Sequence, residues 1–409
     1  MTSKQKLRPD ASPEVLDWIS LVALFPLFLT KWSLAFLFSN QKSLHWRQNC
    51  ALTFLRTQRS IFPTPLLRWL VRRVSTGSTI KDYCSKHKIA HQIVTLPASS
   101  TELHPDLLPP AVLHILTLGN VEAKSRSGKA PTLLYFHGGG FVNPLRSPHM
   151  PFILACGHSV RAMQIIILEY SLAPEHPYPA QLIQCVASLS YLMCTSSGLG
   201  ISAEDIILAG DSAGGTLVGS VLSHIQNPSP YAPKLQMKSG EEFQAAVMIS
   251  PFVRLHKESM DSPMGSYKMN EKRDYLTRIQ VDEFGEAWKG DEKEVWANLC
   301  GVEGADKVWQ AVFQGKGGVR LVKKLFITVG TAEVFLDDCR FFGGESYANT
   351  QTVIAKQEKS KDWTEELGSG ERIMVECEGE AHVQPVLDAA LGYQDGVMTR
   401  AIMTWLKTL

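Results

Sequence analysis

The sequence has little charge of either sign to spare. Across 409 residues, 41 Lys+Arg face 40 Asp+Glu, leaving a formal net charge of +1. That balance supplies no field to hold polyphosphate, which excludes nucleic acid as the main partner. Cysteines are sparse, eight in all, and no two are spaced CxxC. Neither a metal-binding pair nor a disulfide scaffold is therefore written into the chain. The thiols are expected reduced and at least partly buried, with Cys300 and Cys339 left open. There is no Asn-x-Ser/Thr sequon with an allowed middle residue, because Asn227 is followed by Pro228. A G-x-G-x-x-G loop is missing, and Gly128-Lys129 runs into Ala130 rather than Ser or Thr. No metal, nucleotide or other cofactor is expected, and no repeat of solenoid period is visible.

Against these absences stand 44% apolar residues and 20% charged, enough to bury a large core. The length suits one large domain or two ordinary ones. One long apolar run occurs, Trp18 to Ser39, whose only charge is Lys31 and which Pro26 interrupts. It is long enough to cross a bilayer core of roughly 30 Å. Lys31 near the bilayer centre would cost roughly 2.5–3.5 kcal/mol unless it snorkels. The two readings are a membrane anchor, or a pair of amphipathic helices broken at Pro26 that pack on the protein itself. The protein is accordingly expected to be membrane-associated, for example at the endoplasmic reticulum, or cytoplasmic.

Beyond that run, short Val/Ile/Leu-rich stretches alternate with helix-length segments. The stretches are Gln92–Leu96, Val112–Leu118, Pro131–Phe136, Gln164–Tyr170, Asp205–Ala209, Phe243–Ile249, Leu325–Val329 and Arg372–Glu376. Continuous apolar strands of this kind are covered on both faces, which predicts an α/β fold with a mostly parallel central sheet. The alternation breaks from about Val253 to Val319, where charged and aromatic residues read as a helical excursion over the sheet. The expected division is an apolar segment over 1–45, helices contributing to a cap over 46–89, and an α/β domain over 90–409 with its cap insertion at about 253–319.

Two glycine-rich turns carry the candidate chemistry. Gly210-Asp211-Ser212-Ala213-Gly214-Gly215 lies between the strand DIILA and an apolar helix. A G-x-S-x-G turn in that setting lifts a serine hydroxyl clear of the sheet, with helix amides facing developing negative charge. His137-Gly138-Gly139-Gly140 follows the strand PTLLYF. Its amides at Gly138 and Gly139, together with that of Ala213, would form an oxyanion hole. His137 and Gly140 are read as support for the loop.

A serine needs a base. Of twelve histidines, only His224, His256 and His382 follow Ser212. His224 sits on the helix leaving the turn and His256 inside the insertion, whereas His382 follows the last strand and a loop can deliver it to the sheet edge. The acid is sought between Leu325–Val329 and His382. Glu333 lies nearer the strand end. Asp337, the alternative, looks like the start of a helix, where a carboxylate is favoured for structural reasons.

The motifs HGGGF (His137–Phe141), YSLAPEHPYPA (Tyr170–Ala180) and GDSAGG (Gly210–Gly215) in this order resemble the hormone-sensitive-lipase-like branch of α/β-hydrolases. With its apolar N-terminal segment, the chain also looks like fungal steryl acetyl hydrolases and esterases of fungal secondary metabolism. The resemblance implies a serine esterase or lipase with a helical cap over its site. By motif, Ser212 is nucleophile, His382 base, and Gly138, Gly139 and Ala213 the oxyanion donors. Two departures stand out. Glu333-Val334-Phe335-Leu336-Asp337 replaces the family's D-P-L-x-D, and His382-Val383-Gln384 replaces its H-G-F. The expected activity is hydrolysis of a short acyl ester of a bulky apolar alcohol. A lactonase or amidase using the same triad, or a non-hydrolytic pathway scaffold, are the alternatives.

Overall fold

The computed structural model describes residues 13–39, 44–97, 108–119, 130–196, 198–235, 237–238, 240–255, 260–315, 320–358 and 362–409. The apolar runs become a nine-stranded sheet. Its strands are β1 (Ala90–Thr95), β2 (Val112–Thr117), β3 (Thr132–Phe136), β4 (Gln164–Glu169), β5 (Ile206–Asp211), β6 (Ala245–Ile249), β7 (Leu325–Gly330), β8 (Gln351–Ala355) and β9 (Arg372–Cys377). Their order is β1-β2-β4-β3-β5-β6-β7-β9-β8. The β1–β2 and β2–β4 pairs are antiparallel, and all the others are parallel.

Alternate residues of each central strand feed different cores, as a period of two requires. Leu134, Phe136, Leu208 and Met248 join one apolar cluster, and Leu133, Tyr135, Ile207 and Val247 the other. One strand escaped the sequence reading. At the sheet edge, β8 buries only Val353 and Ala355 and exposes its other residues, so it lacks the continuous apolar signature of a covered strand.

In the stretch 253–319 the described residues form helices Ser266–Met269, Arg278–Trp288 and Ala305–Gln314. Thr277 caps the second of these through a reciprocal capping box with Gln280. Its last residue, Trp288, stacks on Phe141 with ring centroids 3.8 Å apart, tying this layer to the glycine loop.

The N-terminal part forms four helices, α1 (Val15–Leu37), α2 (Trp46–Ile61), α3 (Thr64–Arg72) and α4 (Thr76–His87). Pro26 does not break α1, which corrects the two-helix reading; the helix runs unbroken for 23 residues. Phe28 is its one buried residue and meets Phe54 and Phe62, while Trp32 packs edge-on against Phe54. The rest of α1 presents Val22, Phe25 and Leu34 to the outside. It is long and apolar enough to cross a membrane. All eight cysteines are free thiols, and Cys300 and Cys339 are both buried.

Candidate active site

The strand order reverses direction between β3 and β5, and a crevice opens beyond the carboxyl ends of strands at such a point. Phe136 lies opposite Gly210 across this pair, so the glycine loop and the serine turn emerge side by side. Ser212 holds φ 51° and ψ −119°, outside the relaxed regions for a non-glycine residue. The surrounding contacts impose that geometry: its N–H donates to Ile249 O at 2.8 Å, and helix α5 (Ala213–Gln226) starts at the next residue. The flanking glycines are required by space. A Cβ at Gly214 would fall on the Phe136 carbonyl, and one at Gly210 on the Gly214 carbonyl.

The structure brings the three residues selected from sequence into one chain of contacts. Ser212 Oγ lies 2.9 Å from His382 Nε2, and His382 Nδ1 lies 3.3 Å from Glu333 Oε1. A carboxylate at Nδ1 fixes the proton there and leaves the Nε2 lone pair facing the serine. Glu333 is fully buried, and its other oxygen accepts from Gly330 N at 2.9 Å and Ser250 Oγ at 2.8 Å. Ser250 Oγ in turn accepts from Val383 N at 3.1 Å, closing a loop around the base. Burial pulls the His382 pKa down, but the bond and charge of Glu333, with the charges of Asp274 and Asp211, hold it above its ordinary value. Asp337 turns elsewhere, accepting from Ser266 N at 2.7 Å and pairing with Arg340 at 3.7 Å.

The glycine loop needs a correction. Gly138 N–H is already committed, donating to Asp211 Oδ1 at 3.0 Å, and a Cβ there would strike the same carboxylate. It is Gly139 and Gly140, at φ 120° and 62°, that line the cavity beside Ser212 and Ala213. Asp211 therefore anchors the loop. It also accepts from Tyr135 OH at 2.7 Å and lies 3.5 Å from His149 Nε2. Burial alone would raise its pKa, but His149, Tyr135 and His137 hold it below the ordinary value. His137 is a support: Nδ1 lies 2.7 Å from Gly138 O, Nε2 lies 3.3 Å from Thr76 Oγ1, and the ring stacks on Tyr170. Burial takes its pKa to about 4, so the ring is neutral.

His224 is buried on α5, bonded to Ser229 Oγ and Pro233 O at 3.0 Å each. His256 lies outside the described residues. Sequence reasoning missed Asp274, which is fully buried beside His382. Its carboxylate accepts from the amides of Tyr275 at 2.7 Å, Val334 at 2.9 Å and His382 at 3.3 Å. It thus ties the insertion to the loops that carry Glu333 and His382. Burial raises its pKa to about 6 against the pull of His382. No motif marks it; it sits in a charged run, Glu271-Lys272-Arg273-Asp274.

The cleft above Ser212 is a cavity of about 590 Å³ with an aromatic wall that includes Trp32, Phe54, Phe252, Phe284, Trp288 and Phe335. Helices α1 and α2 thus contribute to the same chamber as the insertion. Among the described residues, no group of three or more His, Cys, Asp or Glu is placed to hold a metal.

A family model described as the alpha/beta hydrolase fold matches residues 133–361. Hormone-sensitive lipase of Ictidomys tridecemlineatus is 37% identical over 112 residues, 27% of this chain and 14% of the lipase. Tuliposide A-converting enzyme b3 of Tulipa gesneriana is 30% identical over 158 residues, 34% of this chain and 42% of that enzyme. The chain thus spans less than half the length of these curated relatives. A thermostable esterase from Pseudomonas putida superposes with a TM-score of 0.59 at 16% identity, covering 90% of this chain and 98% of the esterase, a likeness of fold. The chain belongs to the alpha/beta hydrolase family, in the group that includes hormone-sensitive lipase.

Proposed function

We propose that the protein is a carboxylic-ester hydrolase working through a Ser212–His382–Glu333 triad. The observation that carries the reading is the unbroken contact from Ser212 Oγ through His382 to the buried Glu333. His382 Nε2 takes the serine proton as Oγ attacks the ester carbonyl, and Glu333 stabilises the imidazolium that forms. The amides of Gly139, Gly140 and Ala213 receive the oxyanion. His382 then protonates the leaving alcohol, and a water repeats the sequence to release the acid. The aromatic chamber favours a short acyl ester of a bulky apolar alcohol, such as a sterol or a fungal secondary metabolite. Ser212→Ala is expected to abolish turnover of short p-nitrophenyl esters while the circular-dichroism spectrum is retained. Turnover close to that of the parent would remove the assignment.

We further propose that α1 attaches the enzyme to a membrane. Its apolar residues face outward, Val22 and Val15 being 77% and 75% exposed. Between Asp17 and Asp82 there is no acidic residue, against Lys31, Lys42, Arg47, Arg56, Arg59, Arg68, Arg72, Arg73 and Lys81. Cations beside an apolar surface favour an anionic leaflet.

A further inference from the structure

Three arginines of the N-terminal layer are half-buried without an acidic partner. Among the described residues, no ion pair involves Arg56, Arg59 or Arg68. Arg59 donates to neutral acceptors, the Tyr275 carbonyl and Gln280 Oε1. Arg68 Nη2 is buried with no hydrogen-bond partner, and Glu175, near it, is taken by Arg72 at 2.7 Å. Desolvation lowers the pKa of all three guanidinium groups. Cations removed from water are ordinarily paired, because the desolvation penalty is otherwise uncompensated.

All three line a second cavity, of about 1090 Å³, with the exposed Arg146, Lys272 and Arg273 around it. Its acidic groups form no ion pair with them, although the charge of Asp274 acts on Arg56 and Arg59. Glu271 is bonded to Lys268 at 2.9 Å, and Asp274 is occupied by backbone amides. Glu283 is the remaining one: its charge acts on Arg68, against the burial that raises its own pKa, and it forms no ion pair with that arginine. The cavity shares Leu55, Arg59, Val71, Arg146, Tyr275 and Phe284 with the wall of the chamber that holds Ser212.

We propose that this second cavity binds an anionic group, a carboxylate or phosphate, carried by the substrate at the end remote from the scissile ester. Resting on the ester-hydrolase reading, the proposal adds that the substrate is an amphiphile. Its apolar body fills the aromatic chamber, and its charged end reaches Arg56 and Arg68. Arginine suits this task because its planar fork pairs in bidentate fashion with either anion.

The test has a binding and a kinetic measurement on the full chain. In calorimetry, octanoate should bind more tightly than octan-1-ol, and Arg56→Gln or Arg68→Gln should weaken octanoate about tenfold. In kinetics, acetyl esters of ω-hydroxy acids and p-nitrophenyl esters of dicarboxylic acids are each compared with uncharged counterparts. The ratio of kcat/KM, charged over uncharged, should exceed one in at least one series and fall about tenfold in the variants. That ratio does not depend on how much of a variant is folded. A vesicle series, phosphatidylcholine with and without phosphatidic acid, separates the sources of the anion. A preference among monomeric esters assigns a soluble substrate; one seen only on phosphatidic acid and lost in the variants assigns a lipid. Equal octanoate and octanol binding, or a preference the variants leave intact, overturns the proposal. Octanoate binding with no ester turned over would sustain the anion site while removing the hydrolase reading.

Discussion

At the scale of single residues, the pH behaviour of His382 is the most telling consequence of the site. Its imidazole must be neutral to act as base, and Glu333 and its neighbours hold its pKa above the ordinary value. The acidic limb of kcat/KM against pH should therefore lie above about 6.5. Glu333→Gln removes the stabilising charge, so that limb should move to lower pH while turnover falls about 10³–10⁴-fold. A pH–rate series on both proteins checks the sign; an unmoved or raised limb speaks against Glu333 as the partner. Asp337→Ala should cost far less, since its carboxylate is engaged with Ser266 and Arg340. The contact of Glu333 with His382 was legible because chain order and strand position left few candidates. Asp274 was not, because its role is made by backbone amides from three separate segments, which leave no mark on sequence. Val383 is a further surprise, a β-branched residue at φ 45° where the resembled family carries glycine. Its position is secured by the bond from its N–H to Ser250.

Among the elements, the strand–turn–helix around Ser212 was readable since only glycine fits where backbone meets backbone. The glycine loop proposed to receive the oxyanion was readable in place, but the commitment of the Gly138 amide to Asp211 was not, because it is a contact between loops. Asp211→Ala should free that amide and let the loop wander, lowering kcat for p-nitrophenyl acetate about 10²–10³-fold. Little change would mean that Gly139 and Gly140 are held without it. Helix α2 is tied to the base loop by a different device. Gln48 Nε2 bridges Glu380 Oε1 at 3.0 Å and Asp388 Oδ2 at 2.9 Å, both buried two to six residues beyond or before His382. Shared burial raises both carboxyl pKa values above the ordinary range. The folded protein then retains protons that the unfolded chain releases, so stability is full below the unfolded value and falls as pH rises through the folded ones. Thermal melts across neutral pH should show that decline, and Asp388→Asn should flatten it. A melting temperature that rises over the same range would contradict the arrangement.

For the whole molecule, charge and apolar surface are unevenly shared. The stretch from Trp18 to Lys81 is wholly basic in its charged residues, so the remainder carries all 40 Asp+Glu of the chain. The composition alone hid this polarity, since a near-zero sum says nothing about distribution. The α/β architecture was legible from continuous apolar runs; the edge strand β8 and the unbroken α1 were not, because exposure and tertiary packing override local pattern. If α1 is a membrane element, full-length protein should sediment with anionic vesicles, and Val22→Glu with Phe25→Glu should leave it in the supernatant. Sedimentation of that double variant at the parent's level would remove α1 from the role. Trp32 of α1 also walls the chamber above Ser212. Whether Ser212 is a nucleophile activated by His382 is read out by a fluorophosphonate probe followed by peptide mass spectrometry. One adduct is expected, on Ser212, and its formation should slow when His382→Ala removes the base. No adduct on folded protein, or one on a different residue, would contradict that role.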